Sequence, residues 1–94
     1  MIKVAVLTIK LHAPWVHSLK EKRMAVKSLL AKVKNKFSVS VAEVGDQDIH
    51  QSIRIGVAAI VPHRAQADRV MDEIVNFVER NTEAEIVEEE REIR

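Results

Sequence analysis

Imidazole and carboxylate side chains together can bind a divalent ion such as zinc, manganese or iron. This 94-residue chain carries His12, His17 and His50 with Asp46 and Asp48 in two short polar stretches. No tight motif such as H-E-x-x-H fixes their spacing. Turn chemistry accounts for the same residues without a ligand: Asp46 and Asp48 stabilise a turn, His12 ends a strand, and the others are solvated. Acid–base work by His12 or His50 has no nucleophile or oxyanion site to serve. A metal-assisted hydrolase using His12, Asp48 and His50 therefore stands third among the readings, and no metal or cofactor is expected.

The run "HAPWVHS", His12 to Ser18, holds the only tryptophan of the chain, Trp15, directly after Pro14. A tryptophan on a stiffened loop is a common anchor for a partner, and Trp15 with His17 is the candidate pair here. The other use of such a residue is as a lid over the edge of the core.

The run is followed by "LKEKRMAVKSLLAKVKNK", where only Glu21 opposes the cations. Wound at 3.6 residues per turn, Lys20, Arg23, Lys27 and Lys34 share one flank beside the apolar face. Lys22 and Lys36 fall on the other flank and Lys32 faces outwards. A merely solvated helix usually mixes signs to gain small i,i+4 pairings. Residues 1 to 36 carry nine Lys/Arg and one acid, whereas residues 37 to 94 carry six Arg and thirteen acids. The net charge of +1 hides that polarity. A segregated basic surface attracts polyanions even on a nearly neutral protein. The bland alternative is that an acidic second helix lies beside the basic one and the two support each other, although exposed pairs are individually weak.

The elements that must position these residues follow from periodicity. Ile2 to Leu11 is β-branched and apolar, and Lys3 and Lys10 interrupt it, so it reads as a strand rather than a signal peptide or a membrane span. Ser18 opens a helix through the capping box "SLKE". Leu19, Val26, Leu30, Val33 and Phe37 trace one helical face. Ser38 to Val44 alternates as a strand, Gly45 to Asp48 is a turn, and Ser52 to Val61 is a third strand stopped by Pro62. Ala67, Val70, Met71, Ile74, Phe77 and Val78 mark a second helix. Ala84 to Ile93 is a last strand whose charges suit an exposed edge.

The order βαββαβ, with right-handed crossovers, predicts one α+β domain over residues 1–94. It is a ferredoxin-like sandwich with a four-stranded antiparallel sheet and both helices on one face. The first and third strands are central and antiparallel. Hence His12, Trp15 and His17 meet Asp46, Asp48 and His50 at one end of the sheet, and His63 falls at the other. The open sheet face shows Val4, Val6, Thr8, Ser40, Ala42, Val44, Gly56 and Ala58, a small and largely uncharged set that predicts a homo-oligomer or another covering partner. Strands one and three offer no aromatic for stacking bases in the manner of an RNA-recognition motif. The absence of cysteine removes disulfides and thiolate metal sites and fits a reducing cytoplasm, and no membrane partner is indicated.

With these elements in place, the chain resembles the YlxP-like family of small uncharacterised bacterial proteins. The matching residues are Leu11, His12 and Pro14, "SLKEKR" from Ser18 to Arg23, Lys27, Leu29 and Leu30, "FSVSVAEVGDQD" from Phe37 to Asp48 and "IGVAAI" from Ile55 to Ile60. The resemblance implies a ferredoxin-like fold and no catalytic residues. Family genes near those for translation initiation factor two and ribosome-binding factor A imply a link with ribosomes or RNA. Two other users of the fold fit worse: "HAPWVHS" lacks the glycine and arginine of an acylphosphatase loop, and metal-trafficking members need paired cysteines. The leading expectation is a non-enzymatic domain docking on structured RNA or a ribosomal assembly. Lys20, Arg23, Lys27 and Lys34 would meet phosphates, with Trp15 and His17 at the edge of the contact. An oligomeric interaction or small-ligand module on the open sheet face comes second.

Overall fold

Alternating apolar residues make the two central strands. β1 (Lys3–His12) buries Ala5, Leu7, Ile9 and Leu11, and β3 (Ser52–Val61) buries Ile53, Ile55, Val57, Ala59 and Val61. Period-two burial of this kind turns one face of a strand to the core and the other away. The computed structural model describes residues 1–94. Its elements are β1, α1 (Leu19–Lys36), β2 (Ser40–Gly45), β3, α2 (Arg64–Arg80) and β4 (Glu85–Ile93). They form one four-stranded sheet in the order β2-β3-β1-β4, antiparallel throughout. This is the ferredoxin-like α+β arrangement that the element order predicts.

Both helices cover the same face. α2 buries Ala67, Met71, Ile74 and Val78 at steps of four, three and four, the spacing of a single helical stripe. Phe37 after α1 meets Phe77 of α2 edge to face, with ring centroids 5.5 Å apart and planes at 89°. Such a pair contributes about 0.5–1.5 kcal/mol beyond the area it buries. α1 starts as predicted, since the Ser18 hydroxyl accepts from the Glu21 amide at 3.1 Å. α2 starts earlier than its apolar pattern, because the His63 imidazole Nδ1 accepts from the Gln66 amide at 3.3 Å and caps it. No helix is long and apolar enough to cross a membrane.

Besides shifts of one residue at the ends of β1 and β4, two further details depart from the sequence reading. β2 begins at Ser40 rather than Ser38, although Val39 still packs against the core. The buried stripe of α1 is Lys22, Val26, Leu29 and Val33, with Leu30 and Phe37 only partly covered. The helix is therefore rotated towards Lys22, which is not on an exposed flank: only 1% of it reaches solvent.

Candidate nucleic-acid interface

The register pairs His12 with Ser52, so the end of β1 lies beside the start of β3 as the topology requires. The loop leaving β1 is held at several points. The Ala13 amide donates to the Gln51 carbonyl at 2.8 Å, and the Val16 amide donates to the Ala13 carbonyl at 3.1 Å. The Gln51 side-chain Nε2 donates to two carbonyls of the loop, Pro14 at 3.0 Å and Val16 at 3.2 Å. Ala13 and Val16 are fully buried, while Trp15 between them is 38% exposed. His12 and His17 are exposed on either side.

Across from this loop, Asp46 turns the β2–β3 hairpin with a φ of 56°, the left-handed region that aspartate tolerates better than most residues. Its carbonyl accepts from the Ile49 amide at 3.0 Å and from Lys22 Nζ. Its carboxylate accepts from the Ser52 hydroxyl at 2.6 Å and lies 3.9 Å from Arg54 Nε. The Ser52 hydrogen bond holds the Asp46 carboxyl below the usual aspartate range; partial burial opposes this, and the charges of Arg54, Lys10 and Lys22 add to it. Asp48 and His50 are exposed. The fold thus brings both loops to one end of the sheet but does not assemble a ligand set. No three His, Asp or Glu side chains gather so as to hold a metal ion. His12, Asp48 and His50, the residues of the hydrolase reading, are each exposed and belong to no such cluster, and Asp46 is committed to the turn.

Lys22 and Glu43 are the residues sequence reasoning missed. Lys22 Nζ sits 3.1 Å from Glu43 Oε2, and only 17% of the Glu43 side chain is exposed. The oxygen is close enough for an ion pair but lies outside hydrogen-bond alignment, so it is buried with no hydrogen bond of its own. The signal was present in the registers. Lys22 stands four residues before Val26 in the buried stripe, and Glu43 stands two after Val41 on the core-facing side of β2. Opposite charges that each interrupt an apolar register are complementary.

The other six Lys/Arg of α1 form no ion pair, and Lys20, Arg23, Lys27 and Lys34 are all exposed. Lys32 reaches α2 only through the Asn81 carbonyl, at 3.4 Å. No acid of α2 forms an ion pair with the basic helix, although Glu73 lines a groove with Lys36, and Asp72 is taken by Arg91 of β4, at 2.7 Å. Arg23, Lys27 and Lys34 line a shallow groove of about 380 Å³ between α1 and β2, with Val26 and Leu30 supplying apolar surface and Glu43 at one wall. Lys20 is not part of that groove and stands one turn nearer the Trp15 loop.

The open sheet face is as the alternation predicts. Val4, Val6, Thr8, Gly56 and Ala58 are half-covered, Ser40 and Ala42 are exposed, and Val44 and Ile60 are 54% and 75% exposed. Arg54 lies over one end of this face, 3.6 Å from Glu88 of β4.

Among families of known sequence, the one described as "Protein of unknown function (DUF503)" matches residues 4–91. A protein of Bacillus subtilis (strain 168), named "Uncharacterized protein YlxP", is 40% identical over 68 residues, covering 72% of this chain and 74% of that protein. Among solved structures, the de novo designed protein Ferredog-Diesel aligns over 97% of this chain and 83% of its own, at 12% identity and a TM-score of 0.41.

Proposed function

The chain belongs to the DUF503 family, and from the chemistry of α1 we propose that it is a non-enzymatic domain that docks on structured RNA, such as a ribosomal assembly. Lys20, Arg23, Lys27 and Lys34 contact backbone phosphates, and Trp15 with His17 borders the contact. The observation that carries this reading is the absence of any carboxylate partner for these four cations. Had the two helices served only each other, Asp68, Asp72, Glu73 and Glu79 of α2 would be the natural counter-charges, and none of them pairs with α1. Cations with no ion pair to break lose only hydration when they meet phosphate, and Glu43 beside them is already paired with Lys22. With about four phosphates neutralised, log K falls against log salt with a slope of roughly −3 to −4. The face is built for charge, not sequence, because the strands offer no aromatic platform and α1 itself carries none.

Fluorescence anisotropy with labelled ribosomal RNA fragments across a salt series tests this. Wild type binds with a slope near −3 or steeper, and Lys20→Glu/Lys27→Glu loses binding. Failure of the wild type to bind at low salt overturns the reading.

A second reading uses the open sheet face. The exposure of Ile60 and Val44 beside half-covered Val4 and Val6 favours homo-oligomerisation through that face. Apolar association of this kind is insensitive to salt, which separates the two readings.

A further inference from the structure

The loop that carries Trp15 is organised more tightly than a connection of its length requires. Two of its side chains, Ala13 and Val16, already plug the end of the core completely. A tryptophan recruited for packing would occupy one of those positions. Instead it sits between them, 38% exposed and outside any ring–ring contact, since the two phenylalanines pair with each other. The Gln51 amide binds the carbonyls on both sides of it, Pro14 and Val16, and the Gln51 backbone carbonyl accepts from Ala13. A surface aromatic fixed in this way gives up little conformational freedom when something stacks on it. The loop runs directly into the Ser18 cap, so Trp15 stands at the N-terminal end of the cation row. From Lys20 to Lys34 that row extends about 21 Å at 1.5 Å per residue.

We infer that Trp15 is a stacking platform for one unpaired nucleobase, at the end of a phosphate track formed by Lys20, Arg23, Lys27 and Lys34. The inference rests on the RNA reading above and narrows its ligand to RNA with a single-stranded segment. A base inside a duplex has both faces covered by its neighbours, whereas an unpaired base offers a free face to an aromatic side chain. Stacking of this sort is indifferent to base identity, because every base has a π-face. It therefore complements a cation row that also ignores sequence.

The chain has one Trp and no Tyr, so indole emission reports Trp15 alone. The full chain is titrated at low salt with a fluorescein-free single-stranded oligouridine and with an RNA duplex of equal length, following tryptophan emission. Anisotropy of labelled versions is followed in parallel. The single strand quenches Trp15 emission at the concentration where it binds, and the duplex binds with little quenching. Trp15→Ala weakens single-strand binding about tenfold, weakens duplex binding much less, and leaves the salt slope unchanged. Trp15→Phe keeps an aromatic face and recovers part of the loss, which guards against a folding artefact in the alanine variant. Single-strand binding with unchanged emission, or a Trp15→Ala variant that binds as wild type does, overturns the stacking platform and leaves the phosphate reading standing. Binding of neither RNA overturns both.

Discussion

At the scale of single residues, the Lys22–Glu43 pair joins helix to sheet in a place where two apolar side chains would serve. Burying charges costs solvation that their mutual attraction only repays with good geometry, and removing one partner leaves the other uncompensated. Lys22 is the buried member and Glu43 keeps a thin contact with water. Lys22→Ala is therefore expected to destabilise the fold by about 3 kcal/mol, the low end of the range for broken buried pairs. Lys22→Leu/Glu43→Val, which restores an apolar contact but not the Lys22 bond to the Asp46 carbonyl, should recover part of that loss. Urea unfolding midpoints of the three proteins decide it, and a Lys22→Ala variant as stable as wild type would show that the pair is not engaged in solution. Asp46 supplies a pH-dependent counterpart. Its carboxyl is held below its ordinary value, first by Ser52, so the stabilisation is present above the ordinary aspartate value of about 3.9 and disappears as pH falls through the lowered one. Ser52→Ala should accordingly melt below wild type at neutral pH, with the difference shrinking on acidification below about pH 4. A gap in Tm that stays constant into acid would assign the effect to packing at Ser52 rather than to the charged hydrogen bond.

Elements were the most legible level of this sequence, for reasons that can be traced to individual residues. β3 is bounded in the sequence by turn residues on one side and Pro62 on the other, and its observed limits coincide with that reading. Ser18 and Glu21 announced the start of α1, and the hydroxyl-to-amide bond is there. Ser18→Ala should cost about 1 kcal/mol, read from thermal unfolding, and a variant indistinguishable from wild type would mean that water caps the helix as well as serine does. The rotation of α1 was not legible, because a stripe search that counts only apolar residues skips Lys22 and so pulls the face towards Leu30. The His63 cap of α2 was equally hidden, since histidine is not among the residues a capping search begins with. For the candidate site, topology alone was enough to bring the loop after β1 to the hairpin before β3. The engagement of Asp46 with Ser52 depends on the left-handed turn at Asp46, which no spacing in the sequence encodes.

Across the whole molecule, the sheet order turns a sequence polarity into a spatial one. α1, with seven Lys/Arg against one acid, packs along β2 at one edge, and β4, with five acids against Arg91, forms the other edge. A protein of net charge +1 thus has one face of field that draws polyanions and another that repels them. The open sheet face lies across both edges and brings apolar side chains into water, among them Val44 and Ile60, which are 54% and 75% exposed. Two modes of association therefore differ in their physics, and salt separates them. Contacts made by the basic edge weaken as ionic strength rises, whereas burial of Val44, Ile60 and their neighbours does not. Sedimentation velocity from low to high salt is the whole-molecule measurement. Self-association through the sheet face should persist at high salt and be abolished by Ile60→Glu, a substitution that leaves RNA binding intact because Ile60 is on the opposite side of the sheet from α1. If oligomers instead dissolve as salt is raised and Ile60→Glu leaves them unchanged, association is electrostatic. The acidic β4 edge of one copy against the basic α1 edge of another is then its source, and RNA would compete with it for the same cations.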